Sequence, residues 1–172
     1  MKHNNGVSLE DELIHSIRGY FGYKNIELRE KTDRQLRKYL SSEIEKIKKS
    51  FLQISNRVSD DGKVTIADTI NKLISQLKTL IETLNKPTYN NSSFFNHAAF
   101  NSDTLSQLYQ YESLLKHHVS ILTDEISDLE KIEKISETDE FLNHLFDVID
   151  NLNQLIMERE FLLTSSDGES IL

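Results

Sequence analysis

The chain has no cysteine, a single proline and only five glycines in 172 residues. Without cysteine there is no disulfide, no thiolate zinc site and no thiol nucleophile. Average usage would give roughly 12 glycines and 9 prolines at this length. Here only Gly62 and Pro87 fall between Tyr23 and Asp167. So few breakers exclude a sandwich or barrel, which needs a turn about every 8–12 residues. They also exclude the common nucleotide-binding domains, whose phosphate cradle is a glycine-rich loop. No apolar run approaches the roughly 18 residues of a membrane span. The first dozen residues carry one lysine and no apolar core, so no secretion signal is visible and the expected compartment is the cytoplasm.

What is present is helical periodicity. One all-α domain over residues 1–172 is expected, an antiparallel up-down bundle of four long helices with a short amphipathic helix in front. The short helix spans 8–19, opened by a capping box at Ser8 and Asp11, and Gly19-Tyr20-Phe21-Gly22-Tyr23 ends it with an aromatic turn. The second helix is expected over 26–58, with Leu40, Ile44, Ile47, Phe51, Ile54 and Val58 at alternating four- and three-residue spacing. The third, 66–85, starts at a Thr65–Asp68 capping box, and its stripe is widened by Ile74 and Ile81. Such a stripe faces two neighbours rather than one. The fourth and fifth helices, 103–135 and 137–163, carry coiled-coil-like seams, and the tail 164–172 is polar and frayed.

Between the third and fourth helices lies a loop over 86–101 containing Tyr89, Phe94, Phe95 and Phe100. Bundle connections usually take about two to eight residues, so this one needs a reason. The third helix is about 18 Å shorter than its neighbours at 1.5 Å per residue, and the aromatics can plug that open end. Alternatively they form a hook or lid that binds a partner.

Charge is divided along the chain. Lys24 to Arg57 holds ten basic and five acidic residues, whereas Asp103 to Leu172 holds four basic and sixteen acidic, within a total of −8. The plain reading is a basic helix lying beside acidic ones, with a modest gain per exposed pair. The functional reading leaves one basic face, including Arg34, Arg37 and Lys38, free for a partner. The overall acidity and the scarcity of aromatics among these cations argue against nucleic acid.

Two seam positions break the apolar pattern: Glu112 in the fourth helix and Arg159 in the fifth. Buried charge persists when paired, so these two are expected to meet. Metal chemistry is a further option, because helical bundles host carboxylate centres. The pattern with Glu-x-x-His on each of two helices is not met. Glu140, His144 and Asp147 share one face of the fifth helix and could hold a cation, although their seam register places them outermost. No nucleophile elbow occurs, and no cofactor is expected. The function expected is a non-catalytic protein–protein interaction, scaffold or assembly module that self-associates. The alternative is a metal-binding bundle using the last two helices. A membrane is not an expected partner, apart from surface association through residues 9–23.

Overall fold

The computed structural model describes residues 7–87, 89, 92–96, 101–131 and 138–165. Among them there is no strand, and six α-helices follow in order: α1 (Leu9–Ser16), α2 (Ile26–Asp60), α3 (Val64–Leu84), α4 (Ser93–Asn96), α5 (Ser102–Lys131) and α6 (Thr138–Ser165). None of the described helices is long and apolar enough to cross a membrane.

The Ser8 hydroxyl accepts the Asp11 backbone N–H at 3.1 Å, so the capping start of α1 forms as the sequence implies. The helix is shorter than expected. Ile17 already has extended backbone, with φ −116° and ψ 111°. Gly19 and Gly22 then take positive φ, 81° and 77°, and the aromatic turn between them folds back against α2 and α5. Asn25 caps α2 by accepting the Glu27 N–H at 3.0 Å.

At 35 residues, α2 is about 52 Å long, against about 32 Å for the 21 residues of α3. The turn between them is tight. Lys63 N–H reaches back to Val58 O at 3.0 Å while Gly62 sits at φ 78°. This closure corrects the expected start of α3. The helix begins at Val64 with no side-chain cap, leaving Thr65 inside the first turn with its carbonyl accepting from the Thr69 hydroxyl at 3.0 Å. The Thr65–Asp68 box does not form because the chain leaves α2 with no room for a separate cap residue.

The segment expected as an irregular loop holds one helical turn, α4. Phe94 and Phe95 on it are buried, and Tyr89 packs edge-on against Phe95 with ring centroids 4.8 Å apart. Phe94 in turn meets Tyr23 edge-on at 5.4 Å. Phe100 lies outside the described residues.

Every seam residue of α2 from Leu40 to Val58 is buried, as are Leu73, Leu77 and Leu80 of α3. Ile66, Ile74 and Ile81 are half-buried on the flank of the same stripe. The helix α2 packs on α3 and α5, α6 packs on α5 and α3, and α1 rests on α5. The buried apolar side chains form one continuous core. At the end where α1, the aromatic turn and α4 gather, that core is interrupted by charge.

Candidate functional site

The interruption is built from one residue at a time. Glu112 on α5 is 0% exposed and Arg159 on α6 is 2% exposed. Arg159 Nε and Nη2 both donate to Glu112 Oε1, at 2.9 and 2.7 Å. The same Nη2 donates to Asp33 Oδ1 on α2 at 2.5 Å. Asp33 Oδ2 accepts from Arg37 Nε at 2.7 Å, one turn further along α2. Arg37 Nη2 donates to Glu160 at 2.5 Å, and Arg159 Nη1 donates to the same carboxylate at 3.2 Å. Three helices therefore meet through one chain of alternating carboxylates and guanidiniums.

The aromatic turn closes this chain from the other side. The Tyr20 and Tyr23 hydroxyls donate to the two oxygens of Glu112, Tyr23 at 2.7 Å. Their positions depend on Gly22, where a Cβ would collide with the Glu10 carboxylate. Tyr109, one turn before Glu112, accepts the Tyr23 backbone N–H at 2.9 Å and donates to Glu10 at 2.9 Å. Glu10 is further paired with Lys24. Arg29 fixes the far side of the turn, donating to Tyr23 O and Phe94 O at 2.7 Å each. Its guanidinium lies 4.9 Å from the centre of the Phe94 ring. The Ser92 hydroxyl ties the start of α4 to the Leu163 carbonyl.

Burial and charge act differently on the two inner carboxylates. At Asp33 burial opposes ionisation, but Arg159 and Arg37 outweigh it and hold the carboxyl below its ordinary range. At Glu112 burial is stronger than the help from Arg159 and the two tyrosines, and its pKa is raised. Burial, then Glu112, pushes the Tyr20 and Tyr23 hydroxyls up, so both stay protonated as donors. Arg159 is held charged by Asp33 and Glu112 against the cost of its own burial. The result is a set of mutual partners, with only Arg37 Nη1 left over, that fastens the N-terminal segment to α2, α5 and α6.

The pairing of Glu112 with Arg159 is as the seams imply. Arg37 is not on a surface face: it lies on the buried side of α2, inside the cluster, while Arg34 and Lys38 are exposed. Tyr20, which the surface-association reading places outward, is buried, whereas Phe21 beside it is exposed with Lys31 Nζ 4.6 Å from its ring centre. Glu140, His144 and Asp147 are exposed, and His144 Nε2 meets Glu125 on α5 at 2.8 Å. Among the described residues no three His, Asp or Glu side chains are gathered as a metal would need. A single Glu-x-x-His spacing exists, Glu12 to His15 on α1. It points to solvent, with Glu12 paired to Lys116 at 3.2 Å and His15 Nδ1 2.6 Å from the Asp11 carbonyl.

Asp33, Arg37, Tyr20 and Tyr23 were not assigned to this cluster from sequence. For two of them a signal exists. Counting the four-three rhythm of α2 backwards from Leu40 lands on Arg37 and then on Asp33. The tyrosines carry no such signal, because their placement comes from two chain reversals. Comparison of the chain with protein-family models, with curated proteins and with solved structures finds no match.

Proposed function

We propose that this chain is a non-catalytic helical assembly module whose partner is a second copy of itself. The observation that carries the non-catalytic reading is the closure of the charge cluster. Arg159 binds both Asp33 and Glu112, Glu112 also accepts from the Tyr20 and Tyr23 hydroxyls, and at 0–3% side-chain exposure none of the three reaches solvent. A catalytic acid or base must instead lie within hydrogen-bond reach of a substrate. The chemistry best suited to catalysis in this chain is thus used to hold segments together.

The choice of a second copy rests on charge complementarity. Exposed Arg34, Lys38, Lys46 and Lys49 lie along α2, and exposed Asp124, Asp128, Asp147 and Asp150 along α5 and α6. An exposed Met157 also lines a groove between α5 and α6 together with Tyr111. We read the four long helices as an antiparallel up-down bundle. In support, Ser55 pairs with Asn71 and Ser41 with Asn85, while Glu112 pairs with Arg159 and Glu125 with His144. In this reading α3 and α5 stand on a diagonal, and the described turn α4 between them in sequence packs on α2 and α6.

Light scattering on purified protein, over a range of concentration and salt, tests the proposal. A mass approaching twice the 20.0 kDa of one chain, falling as salt rises, is expected. A mass of one chain at every concentration and low salt overturns it.

A further inference from the structure

A depression of about 260 Å³ opens between the first half of α2 and the end of α3. Its polar lining is Arg34, Arg37, Lys38, Ser41, Asn85 and Tyr89. The three cations stand at i, i+3 and i+4, so one helix face presents them together.

One buried atom among these residues has no hydrogen-bond partner, Arg37 Nη1. Arg37 uses Nε on Asp33 and Nη2 on Glu160, and its side chain is only 6% exposed. Nη1 is thus a donor held in place by two carboxylates but left unanswered. Burial, then Asp33 by its charge and by a hydrogen bond, oppose ionisation of the Tyr89 hydroxyl, while Arg37 and Arg34 favour it, so the hydroxyl lies among all three. Buried donors left without acceptors are rare, because each forfeits its hydration.

The rest of the lining is also short of negative charge. Lys38 has no acidic partner among the described residues, and Arg34 has only the exposed Glu30 at 4.0 Å. The nearest carboxylates, Asp33 and Glu160, are both already shared between Arg37 and Arg159. The carbonyl end of α3 contributes roughly half a negative charge, against the two exposed cations Arg34 and Lys38, while Arg37 is balanced by its own carboxylates.

We propose that this depression binds a phosphate group. The fixed Arg37 guanidinium, with the exposed Arg34 guanidinium, the Lys38 ammonium and the Tyr89 hydroxyl around it, matches the several acceptor oxygens and double charge of phosphate better than a single carboxylate. Asn85 and Ser41 add neutral polar groups at the rim, their side chains 3.4 Å apart. Leu84 and Pro87 give an apolar wall against which the carbon skeleton of a phosphate ester would lie. Arg34 and Lys38 also belong to the basic face proposed to meet a second copy, so the site is tested at a protein concentration and salt where light scattering reads the mass of one chain.

Amide NMR titrations with inorganic phosphate and with glycerol 3-phosphate, at constant ionic strength, test it. Saturable shifts centred on residues 34–41 and 85–89 are expected. The exposed Arg34 and Lys38 can be changed without touching the buried cluster, so R34Q/K38Q should keep the wild-type melting temperature and weaken phosphate binding at least tenfold. Y89F should weaken it severalfold. Tighter binding of glycerol 3-phosphate assigns an ester as the ligand, and equal binding assigns the free ion. Shifts that do not saturate with either compound, or an R34Q/K38Q variant that binds as well as wild type, overturn the proposal.

Discussion

Arg159 and Glu112 meet across the α5–α6 interface with two nitrogens of the guanidinium on one carboxylate oxygen, at 2.9 and 2.7 Å. Neither residue reaches solvent. Everything else in the cluster is arranged around this contact: Asp33 balances the second side of Arg159, and Tyr20 and Tyr23 complete Glu112. Taking charges out of water is costly, so the arrangement is better understood as fixing which segments meet than as adding net stability.

The two inner carboxylates should give opposite pH signatures. Asp33 has a depressed pKa in the folded state, so its contribution is present above its unfolded value, near about pH 4, and is lost as pH falls through the folded one. Glu112 has a raised pKa, so its contribution is present below its unfolded value and declines as pH rises towards the folded one. Urea denaturation of wild type, D33N and E112Q across the acid range measures this. The advantage of wild type over D33N should grow with rising pH, and its advantage over E112Q should shrink.

Gly22 and Gly62 share nearly the same backbone, φ 77° and 78°, but not the same surroundings. A Cβ at Gly62 meets nothing within 4 Å, whereas one at Gly22 meets Glu10 and Tyr109. G62A should cost about 1–2 kcal/mol, the price of a left-handed conformation alone. G22A should cost clearly more and release the N-terminal segment. Hydrogen exchange of residues 9–23 should then accelerate in G22A and stay unchanged in G62A.

Phe94 separates the plug from the hook. It is fully buried, against Tyr23, Phe95 and the Arg29 guanidinium. F94A should therefore destabilise the fold by about 3–5 kcal/mol, read from a denaturation curve. A variant as stable as wild type would mean that the ring is presented outward.

The long helices were legible because their apolar stripes repeat for many turns, from Leu40 to Val58 and from Leu142 to Leu163. Glu112 and Arg159 were legible for the same reason, since charge inside a stripe stands out. Arg37 and Asp33 escaped because the stripe of α2 turns polar before Leu40, and a polar seam resembles a solvated face. The short α4 has too few residues to show a period. Tyr20 and Tyr23 reach Glu112 from 92 and 89 positions away, through glycine reversals that no local pattern encodes. Arg34, Arg37, Lys38 and Tyr89 were singled out as partner-binding residues for their charge and aromaticity. That all four line one depression depends on how α2 meets the chain after α3.

The central claim is that Glu112, Arg159 and Asp33 serve one another and not a substrate. A denaturation cycle on E112L, R159M and the double variant tests it most directly. Each single change strands a buried partner and should cost about 3–5 kcal/mol. The double variant removes both charges and should be more stable than either single, with its helical content retained. Losses that simply add in the double variant would contradict the account.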